Sequence, residues 1–437
     1  MAELPGGNGR MRLFWVVLLA GLAGGCAAYG DWIHELEEDL AAGDYQGAMA
    51  TLDEHGRGRR DAVLYLLNRG LLLRMTGEFA QSNAAFEEAK TLMERLSAVS
   101  VSEQAGALTV NDLMRSYAGE FHERVLLHLF AALNYLDLGQ PREARVEILQ
   151  LDELLEQLDS ESLAGGAFAR YFSGLVFDSL GEPDNALIAY RKAYQAYRTY
   201  PEDAALGVPR QLQQDLVRLT ERLGLLEEAR RLRREFGMET TALPEKGAGE
   251  VALILFSGLA PHKEESHVTV PTEDGVLVSV AMPYYEGRLP HVRGLRLEAD
   301  GHRSEAERVE DINVLAMASL ERRRPLILAR ALARAVLKHE AVEKAEKQSD
   351  GLGLLVNIVT VASERADTRS WSLLPSHIYL ARLSLPEGEW HLRAWLEDDK
   401  GQVVGQRDYA VRIKAGQRLF LSMHWIDEED LAWQADH

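Results

Sequence analysis

Apolar positions recur with a helical rhythm through the first half of this 437-residue chain and with a strand rhythm towards its end. Within the helical stretch, Asp31 to about Phe236, one arrangement returns. A glycine is followed five places on by Ala or Ser, and nine places on by a large residue. Gly43 leads to Ala48 and Leu52, Gly77 to Ser82 and Phe86, Gly139 to Ala144 and Ile148, and Gly181 to Ala186 and Tyr190. Gly224 leads to Ala229, with Arg233 in the large place. The glycines are 34, 62, 42 and 43 residues apart.

Glycine ends a helix by taking a backbone conformation that other residues resist. The small residue lets a second helix pack closely on the first, and the large one fills the space between them. Gly70, Ala132 and Gly174 supply small positions on the preceding helices. The pattern resembles a tetratricopeptide-like array with long, irregular repeats, and the first spacing equals that family's period. A generic helical bundle is the alternative. The long gap after Gly77 holds an insertion, Leu96 to Tyr117. Stacked helix pairs of this kind make surfaces that bind peptides or proteins. Tyr190, Tyr194 and Tyr197 share a helix face with Tyr200 close by, and are expected to pack between repeats. His122 and His128 are six apart, off metal-ligand spacing, and read as structural.

Gly237 to Gly249 breaks the helical rhythm with Gly, Thr and Pro244 and reads as a linker. Val251 to Phe256 is a continuous apolar run of strand length. His267–Val270, Val276–Met282 and Val292–Glu298 suggest further strands. Helices are expected over Glu305–Leu320 and Pro325–Lys347, the second opening on a proline. Leu352–Ala362 is apolar but too short to span a bilayer, which takes about 20 residues. It reads as a buried helix or strand. Ile378–Leu385, Glu389–Glu397, Arg407–Lys414 and Arg418–Ile426 alternate between Gly-containing turns, the pattern of an antiparallel sheet or sandwich. The expected fold class is therefore α followed by α+β: a tetratricopeptide-like α-solenoid over residues 26–236, a linker at 237–249, and a mixed domain at 250–437 ending in β.

The N-terminus changes the picture of where this fold works. Arg10 and Arg12 precede the apolar run Leu13–Leu22, and Ala23, Gly24 and Gly25 lead to Cys26, the only cysteine in the chain. That order is a secretory signal rather than a spanning helix. It resembles a bacterial lipoprotein signal over residues 1–25, which implies lipid on Cys26. Ala23 stands where that family prefers Leu, and an ordinary signal with an incidental cysteine is the alternative. Ala27 resembles the residue of the outer-membrane-sorted type. A net charge of −20 argues against nucleic acid as a partner.

Candidate chemistry is sparse. Arg322 to Lys338 holds six basic residues and no acidic one, and Arg330, Arg334 and Lys338 line one face. They are the candidate site for an anionic partner such as peptidoglycan or lipopolysaccharide; a solvated or internally paired face is the alternative. Asp367, Arg369 and Trp371 suggest a specific loop, with an Asp–Arg pair holding it while the indole plugs into the core. There is no His-Glu-x-x-His, no Gly-x-Ser-x-Gly and no phosphate-binding glycine loop. No catalytic residue, metal ligand or cofactor is expected, and the chain reads as a non-enzyme.

Taken with Gly258-Leu-Ala-Pro261-His-Lys263-Glu264, Arg324-Pro325 and Ala366-Asp-Thr-Arg-Ser-Trp371, the whole chain is similar to a little-characterised family of Gram-negative outer-membrane lipoproteins. The Asp-Thr-Arg-Ser-Trp run is the most specific mark. The resemblance implies a periplasm-facing envelope role linked to peptidoglycan synthesis, with envelope proteins as partners of the repeats. It carries no active site.

Overall fold

The computed structural model of the chain describes residues 27–103, 116–159, 166–201, 204–238, 247–271, 277–346 and 365–432. The signal segment with Cys26, most of the Leu96–Tyr117 insertion and the apolar stretch Leu352–Ala362 lie outside them.

The first half is a row of helical hairpins. Helix α1 (Ala27–Ala41) pairs with α2 (Tyr45–His55), and α3 (Ala62–Met75) with α4 (Phe79–Glu103). Next, α5 (Phe121–Asp137) pairs with α6 (Pro141–Asp159), α7 (Ala167–Ser179) with α8 (Pro183–Arg198), and α9 (Arg210–Arg222) with α10 (Leu226–Phe236). Each repeat glycine sits at the turn inside a hairpin with φ between +68° and +83°. The same two backbone bonds close every turn. The glycine N–H donates to the carbonyl three residues back, and the next N–H donates to the carbonyl five back, as from Asp44 to Asp39 and from Glu182 to Phe177. Ala48, Ser82, Ala144, Ala186 and Ala229 are all buried. The facing glycines are small for a reason. A Cβ on Gly70 would stand 2.4 Å from the Phe86 ring, and one on Gly174 would stand 2.3 Å from the Tyr190 ring.

The second half is a β-sandwich with an arm. Strands β1 (Ala248–Ser257), β6 (Glu307–Asp311), β7 (His377–Pro386) and β10 (Arg418–Trp425) form one sheet in the order β10-β1-β7-β6. The second sheet is β5-β4-β8-β9, from β5 (His302–Glu305), β4 (Gly294–Ala299), β8 (Gly388–Glu397) and β9 (Val403–Ile413). The arm is a hairpin of β2 (His262–Pro271) and β3 (Leu277–Glu286), packed on α11 (Ile312–Glu346). A last short helix, α12 (Glu429–Ala432), lies against α1.

Four sequence expectations change here. The sheet is mixed, because β10 runs parallel to β1. The stretch read as the start of a helix at Glu305 is strand instead: Glu307 to Asp311 pairs with β7, so tertiary pairing overrides local pattern. Helix α11 then runs without a break through Pro325, where a separate helix was expected to begin. Strand β1 also starts inside the stretch read as linker. There the chain presses against its neighbour, and a Cβ on Gly249 would come 2.4 Å from the Lys414 carbonyl.

The two halves share a core. Ala252, Ile254 and Phe256 of β1 join the apolar cluster of the helical array, while Val251, Leu253 and Leu255 join the cluster between the two sheets. A strand covered on both faces reads as unbroken apolar sequence, which is what Val251–Phe256 shows.

Candidate functional site

The face built by the first helices of the hairpins is where an array of this kind would offer itself to a partner. Here the protein's own sheet lies on it. Phe130 of α5 meets Phe256 of β1 at 5.0 Å and His424 of β10 at 5.6 Å between ring centroids. Phe172 of α7 meets Phe420 of β10 edge-on at 5.9 Å. Tyr197 and Tyr200, on and just after α8, donate to the Val309 carbonyl at 2.8 Å and to Glu310 at 2.5 Å. The tyrosine cluster is therefore buried, and part of it packs against the C-terminal half.

Charge is sealed into the same interface. Arg382 of β7 donates to Glu250 at 2.8 Å, to the Tyr171 hydroxyl at 2.7 Å and to Asp215 of α9 at 3.2 Å. Arg418 of β10 reaches the Leu175 carbonyl at 3.0 Å, Asp178 at 3.2 Å, and Glu250. Arg218 bridges Asp178 and Asp215. Burial alone would raise the Asp215 carboxyl, but the Arg382 and Arg218 guanidiniums overcome it and hold it well below the usual range. Such clusters add little net stability as a whole, yet losing one member strands a buried charge. Among the described residues Glu310 has no such cation. Burial pushes it up to about 7, against hydrogen bonds from Tyr200 and the Phe168 N–H.

The Asp367–Trp371 loop fastens the other end of the interface. Arg369 donates through Nε and Nη2 to both Asp367 oxygens at 2.8 Å, and through Nη1 to Asp61 of the array at 2.8 Å. Trp371 is 1% exposed and packs on Phe86 and Phe130, each 6.0 Å away. The backbone N–H of Trp371 donates to Glu123 at 2.7 Å, which also accepts from the Tyr117 hydroxyl. One helical turn earlier, Glu120 is bound by Lys263 at 2.6 Å and by Arg323. Burial would raise the Glu120 carboxyl; these two cations hold it far below its ordinary value. His122 is buried edge-on against Tyr285, and that burial lowers it to about 4. His128 bonds Glu147 at 2.9 Å.

The basic stretch on α11 is partly consumed by the fold. Arg323 pairs with Glu120 and Arg324 with Glu321, while Arg322 lies over the Phe121 ring. Arg334 is 3% exposed and Arg330 half-buried. The Lys338 side chain lies outside the described residues. On the outer sheet an open hollow of about 640 Å³ is bordered by Trp395, His391, Glu298 and Asp408. Trp395 is fixed there between Arg393 and Arg296, at 5.2 and 5.9 Å, with its N–H on Glu298. No group of metal-binding side chains occurs among the described residues.

Sequence reasoning missed Asp215, Glu250, Arg382, Arg418 and Glu310. One signal was there: Arg382 interrupts the apolar run of β7, which only a buried partner would tolerate.

No family model matches the chain, and no curated protein matches it. Solved structures of MamA resemble it over about half its length. One shares 17% identity over 46% of this chain and 90% of its own, with a TM-score of 0.30. A second shares 16% over 50% and 98%, at 0.32. MamA from Desulfovibrio magneticus RS-1 shares 14% over 48% and 95%, at 0.31. Likenesses at these scores carry no weight for function. The helical repeat rests on the turns and notches of this chain itself.

Proposed function

We propose that this protein is a non-enzymatic scaffold of the bacterial envelope, held to the outer membrane by lipid on Cys26 and facing the periplasm. The observation that carries the reading is the five-times-repeated hairpin with identical glycine turns, an architecture suited to presenting surface rather than performing chemistry. The lipoprotein-like order of Arg10, Arg12, Leu13–Leu22 and Cys26 supports the location. Because the first-helix face is filled from within, envelope proteins would dock on the outer side of the second helices. Val146, Leu149 and Ile188 stand exposed there. A link to peptidoglycan synthesis rests on the family resemblance.

The test is crosslinking of the acylated protein in cells, followed by mass spectrometry of what it holds, beside a Cys26→Ser variant. Discrete envelope proteins joined to residues 31–236, and loss of the variant from the membrane fraction, support the reading. A chain that stays membrane-bound without Cys26, or that holds no protein, overturns it. The alternative, a binder of peptidoglycan or lipopolysaccharide through Arg330, Arg334 and Lys338, is the less supported because Arg334 is buried.

A further inference from the structure

One repeat position forms a row on the outer side of the second helices. Val146 of α6, Ile188 of α8 and Arg231 of α10 each stand seven places after their repeat glycine, and all three are exposed. The row is apolar in the third and fourth hairpins and ends on a cation in the fifth. At that end a hollow of about 300 Å³ opens between α8 and α10. Its floor is apolar: Leu216 and Leu232 are buried, and the buried Tyr194 lies beside them. Its rim holds Arg191, Arg198 and Arg231.

Glu228 and Glu235 border the same hollow, and both have partners within the fold. Arg191 binds the two oxygens of Glu228, its Nε at 3.0 Å, and Glu235 accepts from the Tyr194 hydroxyl. The other two arginines are held loosely. Arg198 meets no carboxylate among the described residues, and its guanidinium lies over the Tyr194 ring at 5.6 Å. Arg231 comes no closer than 3.8 Å to Glu228, and its side chain is 66% exposed. Two such cations at the mouth of an apolar hollow suit a ligand that carries an anion and an apolar group side by side.

Size narrows the choice. About 300 Å³ is the small end for a ligand site. It has room for one large side chain and the group next to it. The last residue of a peptide has that composition, with a side chain and a carboxylate on one Cα. Guanidinium and carboxylate match through two parallel hydrogen bonds. A residue in mid-chain brings no such charge. A chain lying on Val146 and Ile188 would come to its end at Arg231.

We propose that the hollow between α8 and α10 binds the C-terminal residue of a partner protein. Its apolar side chain sits on Leu216, Leu232 and Tyr194, and its carboxylate on Arg198 and Arg231. This deepens the scaffold reading and rests on it, naming the partner by chemistry: a chain with a free, apolar C-terminus.

The test uses the full chain in detergent and fluorescein-labelled ten-residue peptides ending Val-Ser-Leu, read by fluorescence polarisation. The free-acid peptide should bind saturably below about 1 mM. The C-terminal amide, and a free acid ending in Gly, should each bind at least about ten-fold more weakly. Arg198→Gln and Arg231→Gln should each reduce the difference between acid and amide, with an unchanged thermal midpoint, since both side chains lie at the surface. Equal binding of acid and amide, a difference that survives both substitutions, or no saturable binding below about 1 mM would overturn the proposal. The scaffold reading fails separately. Envelope proteins crosslinked to residues 31–236 without any acid–amide difference would remove the hollow alone. Acid-selective binding by a chain that holds no protein in cells would remove the scaffold alone.

Discussion

Arg382 on β7 and Asp215 on α9 are 167 residues apart in sequence, and their side chains are joined inside the protein. The bond ties the C-terminal sheet to the helical array at a place neither shows to solvent. With the Arg369–Asp61 and Lys263–Glu120 pairs, it makes the two halves one body.

Removing one member of this cluster is expected to be costly. Arg382→Met leaves Asp215 and Glu250 buried with one cation fewer and should destabilise the chain by about 3–5 kcal/mol. Chemical denaturation would measure it. A loss under about 1 kcal/mol would mean that water reaches the cluster.

The repeat notches make a second prediction. Gly174→Ala drives a methyl into the Tyr190 ring and should cost about 1–3 kcal/mol. The Tyr190 hydroxyl is buried without a hydrogen-bond partner among the described residues, so Tyr190→Phe should be neutral or stabilising. The two midpoints, measured together, separate close packing from polar contact.

Trp371→Ala should cost about 3–5 kcal/mol through the cavity left between Phe86 and Phe130. Arg369→Ala should lower stability as well, by freeing Asp61 and Asp367. If the Trp371→Ala chain unfolded at an unchanged denaturant midpoint, the loop would not be the fastener described.

Glu310 gives a pH signature. Its folded value of about 7 lies above the ordinary 4.5. Between those values the folded chain keeps a proton that the unfolded chain has released, so this group's contribution to stability falls as pH rises through the window and is flat above it. Glu310→Gln should therefore gain on the native chain as pH climbs, by at most about 3 kcal/mol. Difference curves between the two proteins isolate the effect from Asp430, which burial also raises, and from His122, whose lowered value acts over much of the same window with the opposite sign.

Much of this fold was legible in the sequence. The five glycines, their small partners and the large residues nine places on all fall where the pattern put them, because a turn and a helix contact are local events. Strands β7 to β10 were legible for the same reason. Strand β6 was not: Glu307-Arg-Val-Glu-Asp311 has one apolar residue, and only its pairing with β7 makes it strand. Nor could sequence show that Phe130, Phe172 and the tyrosines of α8 face the chain's own sheet. Contacts over 100 or more residues leave no periodicity behind.

Native-state hydrogen exchange on the full chain tests the central claim, that the array and the sheet on its first-helix face are one cooperative unit. The amides of β1, α5 and α7 should exchange only through a shared opening, with the same free energy and the same denaturant dependence. Exchange of β1 through a lower-energy opening, while α5 and α7 stay protected, would show the sheet to be a separable lid and the array's face to be available to partners.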